Sequence, residues 1–574
     1  NDSLLLINKL MLNGKISEAL NLAEQQLKKD KNNSNLHNAI GAILYNNNNK
    51  KEAEEKFQIA LILDNKNAFA FCNLGKIYRD KNDIKSALKC FNKAFSLNTQ
   101  SKILFTNLNN LLLEFCAEEY NDLWLEAYEL ILSDKLYFSV SEMRFIHKNA
   151  INLLVSSPLF KQLNNHITCK DDLTQNFISM LKNLSKTKLT HLCFENFVIT
   201  NLKFEKFIQK LREYLLVNRK KIEPNVEINK LVQSIALQNY MTEYILYENS
   251  NETLLIKNLV YEIEKNIKTN SNINFLDLLL LGCYRELRDY KWIHEIHFPF
   301  DFLKLKEKFL TFPLIEEKYK KNIVAIGQIE NHISNQVKSQ YEENPYPKWD
   351  KAAVSPKKIS MKEYLSLKKI NFRDNKTTNN QKLEILVAGC GTGQEPINIS
   401  SYIKNLNITA IDLSKSSLSY AMRKAKQYDI ENINFYQCDL LNVKELNTKF
   451  DIILCSGVLH HLDNPMDGWQ QLTEVLNEKG LMKICLYSKI ARRLIKPYQD
   501  KYSSIDINDF KTEIREFRNK IIKYEDPNFE NFFSTMQDFF NMSELRDLIF
   551  HYKEHQFTTP KIKSCLKELN LSFL

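Results

Sequence analysis

One short stretch, residues 384–393 (EILVAGCGTG), limits the possible folds more than any other part of this 574-residue sequence. Its apolar run over residues 385–388 is typical of a strand that is buried on both faces of a parallel sheet. Three alternating glycines follow at once, at Gly389, Gly391 and Gly393. Glycine permits a tight turn and the close approach of a ligand to the backbone. The stretch therefore predicts a strand, a glycine loop and a helix that bind a nucleotide-like ligand.

The spacing of these glycines differs from the dinucleotide fingerprint G-x-G-x-x-G, whose third glycine would fall at Gln394. A second apolar strand, residues 408–411, ends in Asp412, nineteen residues after Gly393. An acidic side chain at that position can accept hydrogen bonds from both hydroxyls of a ribose. The alternatives are that the glycines only form a turn and that Asp412 only caps the helix that starts near Ser414. The whole chain has only 11 glycines, and their concentration here favours a binding loop.

Four motifs, in order along about a hundred residues, resemble the class I S-adenosylmethionine (SAM) dependent methyltransferases. They are the loop VAGCGTG, AIDLS with Asp412, FYQCDLL with Asp439, and FDIILCSG running into VLHHL. A further strand over residues 480–487 (GLMKICLY) also fits. The resemblance implies a Rossmann-like α/β domain with a mostly parallel sheet, and it implies SAM as the cofactor.

The resemblance also implies roles for individual residues. The loop backbone would face the methionine part of SAM, Asp412 the ribose and Asp439 the exocyclic amine of adenine, with Leu440 beside the adenine ring. For Asp439 the alternative is a loop acid that faces solvent. The predicted cofactor-binding residues are Gly389, Cys390, Gly391, Gly393, Asp412, Leu413, Asp439, Leu440 and Ser456.

The N-terminal part of the chain repeats itself at an offset of 34 residues. The pairs at this offset are Ile40 and Leu74, Gly41 and Gly75, Leu44 and Tyr78, Ala53 and Ala87, Phe57 and Phe91, and Ala60 and Ala94. The pattern resembles the tetratricopeptide (TPR) repeat, with a polar turn at residues 46–49 and a capping helix over residues 103–115. TPR arrays usually bind a peptide or a protein. The alternative is that so few repeats only brace the rest of the chain.

Four regions are predicted, because the chain is too long for one ordinary domain. They are TPR repeats with a capping helix (1–116), a helical middle domain (117–330), an aromatic and proline-containing lid and linker (331–380) and the class I methyltransferase domain (381–574). Residues 371–381 are polar and are predicted to form a hinge. The run 569–574 is predicted to be the sixth strand of a sheet without a seventh. The chain is therefore expected to be a fragment that lacks residues at both ends.

The segment YEENPYPKW, residues 341–349, has an unusual density of proline and aromatic residues. Proline fixes an extended backbone path there. Similar segments precede the catalytic domain in TPR-linked methyltransferases, which implies a lid with Tyr341, Tyr346 or Trp349 in contact with cofactor or substrate. An aromatic linker that packs two domains together is the alternative.

Two adjacent histidines, His460 and His461, follow the fourth strand of the predicted sheet. Ligands of open parallel sheets bind outside the carboxyl ends of the strands. A histidine there could take the proton of a hydroxyl or amine acceptor, because its pKa lies near neutrality. The alternative is that methyl transfer needs only the alignment of its reactants.

Metal and disulfide chemistry are not expected. The candidate motifs are His294 with His297, and the H-x-x-E-H pattern of His551, Glu554 and His555. Neither has a third ligand segment nearby, so the prediction is that no metal is bound. Eleven cysteines, none of them in a C-x-x-C pair, indicate reduced thiols in apolar cores.

Composition predicts a soluble, cytoplasmic protein. No apolar run approaches 18 residues, and no secretory leader is present, so neither a membrane span nor export is expected. The net charge of +10 arises from 79 basic and 69 acidic residues, which is a mild excess. Nucleic acid is not expected as a partner, because no arginine-rich helix or basic and aromatic interleaving occurs.

The sequence thus predicts an all-α TPR and helical N-terminal part joined to an α/β methyltransferase that passes the SAM methyl group to an acceptor. The sequence does not identify that acceptor or the protein partner of the repeats. The alternative function is a TPR interaction scaffold whose methyltransferase-like domain binds SAM without catalysis.

Overall fold

The computed structural model describes residues 2–134, 140–169, 171–352, 358–370, 381–502, 509–523 and 532–574. Two compact units divide the chain. One comprises residues 1–165 with 187–193, and the other comprises residues 166–186 with 194–574. The hinge predicted over residues 371–381 lies, apart from Gln381, outside the described residues.

The described residues of the first unit form helices joined by turns and loops. Its helices are Asp2–Leu12, Ile16–Lys29, Ser34–Asn46, Lys50–Leu63, Ala68–Asp80, Ile84–Leu97, Lys102–Glu114, Asp122–Leu132 and Val140–Ser156. Two further helices, Pro158–Cys169 and Lys188–Asn196, have residues in both units. The helix predicted over residues 103–115 is present as Lys102–Glu114.

The repeat packs through glycine and phenylalanine. A Cβ on Gly41 would lie 2.6 Å from the Phe57 ring, and a Cβ on Gly75 would lie 2.7 Å from the Phe91 ring. Glycine therefore allows the two helices of each repeat to approach closely. The predicted turn at residues 46–49 is confirmed, since Asn48 adopts the left-handed φ of +63° that asparagine tolerates.

The second unit contains the sheet and most of the remaining helices. Its helices are Gln175–Lys186, Leu202–Asn218, Val226–Met241, Ser250–Lys268, Phe275–Gly282, Leu303–Lys306, Phe312–Asn322, His332–Glu343, Met361–Leu367, Gln394–Tyr402, Lys415–Gln427, Pro465–Val475, Lys496–Tyr502, Phe510–Lys523, Met542–Ile549 and Thr559–Glu568. Its strands are β1 (Ala325–Ile326), β2 (Leu383–Ala388), β3 (Leu406–Asp412), β4 (Ile433–Cys438), β5 (Phe450–Ser456) and β6 (Leu476–Cys485).

The six strands form one parallel sheet in the order β1-β4-β3-β2-β5-β6. The central strand β2 pairs with β3 on one side and with β5 on the other. Alternate residues of β2 enter two apolar clusters, with Ile385 and Val387 in one and Leu386 and Ala388 in the other. Burial on both faces is the reason that the strand is a continuous apolar run. The predicted parallel α/β fold is therefore confirmed.

Two features of the sheet differ from the sequence-based expectation. Strand β1 pairs with β4 from within a region that reads as helical, because two residues are too short to leave a periodic signal. Residues 569–574 do not form the predicted sixth strand. Instead, the helix Thr559–Glu568 ends with the Leu571 N–H donating to the Leu566 carbonyl (2.8 Å), and Leu571 packs against the apolar cluster beside the sheet. Packing, rather than strand pairing, accounts for Leu569 and Leu571, whereas Phe573 and Leu574 are largely exposed.

Candidate functional site

Backbone hydrogen bonds to strand β3 hold the start of the glycine loop that follows β2. Gly389, Gly391 and Gly393 have φ values of +69°, +52° and +82°, which side chains rarely adopt. The N–H groups of Gly389 and Cys390 donate to the carbonyl oxygen of Ile411 at 2.8 and 2.9 Å. The end of β3 thus fixes the start of the loop and leaves the rest of it facing the carboxyl edge of the sheet.

Asp412, at the end of β3, supports the same loop. One carboxylate oxygen accepts from Gly391 N–H (2.8 Å), and the other accepts from Ser414 N–H (2.9 Å). Ser414 caps the following helix by accepting from Ser417 N–H, so Asp412 is not the N-cap. Burial raises the pKa of Asp412 to about 6, although the two backbone N–H groups favour its charged form.

Asp439 and Leu440 follow β4 in the same way. Asp439 accepts from the N–H of Leu441 (3.0 Å) and is almost fully buried, as is Leu440. Because parallel strands end at one edge of the sheet, Asp439 and Asp412 lie on neighbouring strands at the same edge.

A cavity of about 370 Å³ opens at this edge. Its walls include Tyr341, Tyr346, Pro347, Gly389, Cys390, Gly391, Gln394, Asp412, Leu413, Asp439, Leu440, Ser456, Gly457, His461, Tyr487 and Asp547. Eight of the nine predicted cofactor-binding residues are among the lining residues. Gly393 is not, and a Cβ there would lie 2.5 Å from the Cβ of Ala421, so this glycine allows two helices to touch.

The aromatic segment 341–349 lies against the glycine loop and the helix Lys415–Gln427. Ser414 Oγ donates to the carbonyl oxygen of Tyr341 (2.9 Å), and Lys415 N–H donates to the Glu342 carboxylate (2.5 Å). Of the three aromatic residues predicted to contact ligand, Tyr341 and Tyr346 line the cavity. Trp349 does not line it, because it is buried and its Nε1–H donates to Thr392 Oγ1 (3.1 Å).

The far end of the cavity holds a carboxylate between two phenols. Tyr341 donates to one oxygen of Asp547 (2.8 Å), and Tyr487 donates to the other (3.2 Å). Sequence reasoning missed Asp547, because this residue lies on the helix Met542–Ile549, far along the chain from the glycine loop. Tyr487 is the last residue of the strand predicted over residues 480–487, and that position at a strand end was the one sequence signal for it.

The two predicted catalytic histidines have different environments. His461 lines the cavity, and its Nδ1 lies 2.8 Å from the carbonyl oxygen of Lys553. Burial lowers the pKa of His461, although the nearby Asp547 opposes this effect. His460 is not a lining residue and stacks on the Tyr487 ring at 3.8 Å. Neither ring nitrogen of His460 has a hydrogen-bond partner among the described residues, and burial lowers its pKa to about 2.

The H-x-x-E-H pattern does not form a cluster. Glu554 pairs with Arg492 at 3.4 Å, while His555 Nε2 lies 3.0 Å from the carbonyl oxygen of Asp463. His551 instead stacks on His461, with ring centroids 3.5 Å apart. The side chains of this motif therefore point to different partners.

Comparison with known families identifies two parts of the chain. A family model described as a methyltransferase domain matches residues 379–532, and one described as a tetratricopeptide repeat matches residues 70–101. The predicted architecture of TPR repeats followed by a C-terminal methyltransferase domain is thereby confirmed. Among the described residues, no helix has the length and apolar character needed to cross a membrane.

Individual relatives match only parts of the chain. An uncharacterized protein of Synechococcus sp. is 37% identical over 117 residues, which is 20% of this chain and 28% of that protein. The ubiquinone biosynthesis O-methyltransferase of Rickettsia canadensis is 28% identical over 114 residues, 20% of this chain and 47% of that enzyme. The chain thus spans less than half of each of these two relatives. The structure of PKMT2 from Rickettsia typhi in complex with AdoHcy is 17% identical, covers 33% of this chain and 39% of that one, and has a TM-score of 0.27.

Proposed function

We propose that this chain transfers the methyl group of SAM to an acceptor that enters the same cavity. The observation that carries the proposal is the convergence of the glycine loop, Asp412 and Asp439 on one cavity, from the ends of three adjacent strands. That arrangement combines a backbone surface with two carboxylates, which suits a ligand with a charged tail and a nucleoside.

The residues present fit SAM. The carboxylate of Asp412 accepts one N–H at each oxygen, and each oxygen has a further lone pair for a ribose hydroxyl. A Cβ on Gly457 would meet no atom within 4 Å, so this wall of the cavity is open. When bound, SAM supplies a methyl group on a positively charged sulfur, which a nucleophile can attack in line.

The acceptor would lie at the end of the cavity formed by Tyr341, His461, Tyr487 and Asp547. Among the relatives, the enzymes named for ubiquinone biosynthesis and the one named for malonyl-[acyl-carrier protein] are O-methyltransferases. We therefore propose an oxygen acceptor. Its hydroxyl proton must leave during transfer, and neutral His461 and the Asp547 carboxylate are the polar groups of this end that can take part. The proposal assigns no direct contact to His460, because its side chain is buried and stacks on the Tyr487 ring.

The same proposal assigns partner binding to the repeats. A peptide or protein partner at the TPR helices would bring the acceptor to the methyltransferase domain, or it would hold the chain near the acceptor. We retain the division into residues 1–116, 117–330, 331–380 and 381–574 as part of this proposal.

Calorimetric titration with SAM and with S-adenosylhomocysteine tests the cofactor assignment. We expect one site per chain, and we expect Asp412→Asn to weaken binding at least tenfold, since a charged acceptor of hydrogen bonds is lost. Asp429→Asn is the matched control, because Asp429 is an exposed turn residue of the same domain. A folded wild-type chain that binds neither ligand would overturn the proposal.

Labelled methyl transfer from SAM into fractions of a cell lysate then tests turnover. Label in one fraction, dependent on Asp412, identifies the acceptor class. Cofactor binding without label in any fraction would favour the alternative of a scaffold with a non-catalytic domain.

The affinity for SAM should depend on pH. Because the pKa of Asp412 is raised to about 6, its carboxylate is mostly charged at pH 7 and mostly protonated at pH 5. Affinity should therefore fall about tenfold from pH 7 to pH 5. Titrations across this range should show the fall in wild type and a flatter profile in Asp412→Asn. An identical profile in both proteins would contradict the assignment.

A further inference from the structure

One turn of the middle helical region contacts two segments that line the cavity. The turn follows the helix Val226–Met241, and its residues Glu243 and Tyr244 have left-handed φ values of +55° and +59°. Side chains rarely adopt this conformation, and such strain persists only where the surrounding contacts fix it. In this turn the Glu243 carboxylate makes those contacts.

The Glu243 carboxylate has one partner in each of the two segments. One oxygen lies 2.8 Å from Nζ of Lys348, in the segment 341–349, and the other accepts from the N–H of Ser543, in the helix Met542–Ile549 (2.7 Å). Glu243 is 6% exposed. Burial acts to raise the pKa of Glu243, but the Lys348 ammonium group and the Ser543 hydrogen bond lower it by more. The side chain is therefore a buried anion that is bound on both sides.

The helix that starts at this turn positions Asp547. The Met542 N–H donates to the carbonyl oxygen of Thr242 (3.2 Å), so the backbone also joins the turn to the helix start. Farther along the helix, Asp547 lines the cavity and accepts from Tyr341. A helix holds the side chains of a site precisely, because it is stiff. A displacement of the helix start would therefore move the Asp547 carboxylate.

Lys348 follows the part of the segment 341–349 that covers the glycine loop. Tyr346 and Pro347 line the cavity, and the Pro347 carbonyl oxygen accepts from Thr392 Oγ1. The side chain of Lys348 is one-quarter exposed, and its ammonium group pairs with Glu243. This ion pair ties one wall of the cavity to the middle helical region.

Further contacts join the two segments to each other. Arg546, the residue before Asp547, donates from Nη1 to the Glu343 carboxylate (2.9 Å) and to the Asn344 amide oxygen (2.7 Å). Arg546 is buried. The segment, the helix and the turn thus contact one another pairwise, and Glu243 is the side chain of the turn that binds both of the others.

We propose that Glu243 is a positioning residue of the methyltransferase site. By holding Lys348 and Ser543 at once, it sets the spacing between the segment 341–349 and Asp547, which bounds the space for the acceptor. This step rests on the proposed methyl transfer. In this proposal the middle helical region contributes to the reaction itself. The alternative is that the turn only stabilises the packing of the three segments.

Positioning should affect the rate of transfer more than the affinity for SAM. The glycine loop, Asp412 and Asp439 are held by hydrogen bonds of their own. Methyl transfer needs the acceptor oxygen in line with the sulfur–carbon bond, and a misplacement of about 1 Å can cost about a hundredfold in rate. Loss of the Glu243 charge should therefore slow the transfer and leave most of the SAM affinity.

Glu243→Gln tests this assignment, because glutamine keeps an oxygen for the Ser543 N–H but has no charge to hold Lys348. At saturating SAM, labelled methyl transfer into the lysate fraction that wild type labels should slow at least about tenfold, while the SAM affinity falls less than about threefold. Glu248→Gln is the matched control. Glu248 is a carboxylate of the same region that pairs with Arg285 (2.6 Å), and its side chain is one-tenth exposed. This control should transfer methyl groups as fast as wild type, and an equal loss of rate in both variants would contradict the proposal.

A second substitution, Lys348→Met, separates positioning from stability. Glu243→Gln leaves the Lys348 ammonium group without its partner, so the free energy of unfolding should fall. The double variant Glu243→Gln with Lys348→Met removes that charge and should recover most of the stability in urea unfolding. It still lacks the ion pair and should remain slow. Recovery of the rate together with the stability would overturn the proposal, since an unpaired charge would then explain the slow transfer.

Hydrogen exchange gives a readout that needs no acceptor. Backbone amides of residues 341–349 and 542–549 should exchange at least about fivefold faster in Glu243→Gln than in wild type, and those of Glu248→Gln should not. Equal exchange in Glu243→Gln and wild type would overturn the proposal even where no lysate fraction is labelled. The SAM titration of wild type keeps the two proposals apart. A chain that binds no SAM contradicts the methyltransferase proposal, whereas the exchange result concerns Glu243 alone.

Discussion

Replacing Gly391 with alanine is expected to weaken SAM binding at least a hundredfold. At this position φ is +52°, and a Cβ would lie 2.6 Å from the backbone carbonyl oxygen of Tyr346. Backbone cannot move aside as a flexible side chain can, so either the glycine loop or the segment 341–349 must shift. Both line the cavity, and either shift would change the surface that the cofactor contacts.

Gly14→Ala is the matched control for the backbone strain. Gly14 has a φ of +74°, but a Cβ there would meet nothing within 4 Å. Gly14→Ala should lose about 1–2 kcal/mol of unfolding free energy, because an alanine is forced into the left-handed region. Gly391→Ala should lose at least as much, because its Cβ also meets the Tyr346 carbonyl oxygen. Only Gly391→Ala should lose SAM affinity in calorimetric titration. SAM binding by Gly391→Ala at wild-type strength would show that the loop does not contact the cofactor.

The second large effect concerns the stability of the second unit. Both oxygens of Glu205 accept from Arg518 Nη2, at 2.8 and 2.6 Å, and Arg518 Nε donates to the carbonyl oxygen of Phe539 (2.7 Å). The side chains of both partners are less than a tenth exposed. Arg518→Met should cost about 3–5 kcal/mol of unfolding free energy, because it leaves the Glu205 charge buried without a partner.

Urea unfolding of single and double variants checks the cause. Glu205→Met with Arg518→Met removes both charges and should recover most of the loss. Lys520→Met is the control on the same helix, because the Lys520–Glu516 pair is more than two-fifths exposed on each side and such pairs contribute about 0.3–0.5 kcal/mol. Equal losses in Arg518→Met and in the double variant would indicate that packing, rather than an unpaired charge, sets the cost.

For the segment 341–349, the sequence predicted a lid but not which of its aromatic side chains line the cavity. Prolines and aromatics marked residues 341–349 as unusual, and the structure places Tyr341 and Tyr346 at the cavity but Trp349 beneath Thr392. Which aromatic side chain faces the ligand depends on the path of the backbone over the glycine loop. No local pattern encodes that path.

The sequence by itself determined the TPR repeat, the parallel α/β domain and the residues at the ends of β2, β3 and β4. These features are local, since a buried strand must be apolar and its following turn must suit its ligand. Tertiary structure alone brought Asp547 and His551 to His461 and added β1 to the sheet edge. It also gave Leu569 and Leu571 of the run 569–574 a packing role instead of a place in a strand. Contacts between distant segments depend on how helices and strands pack, and one chain's local pattern carries no record of its distant partners.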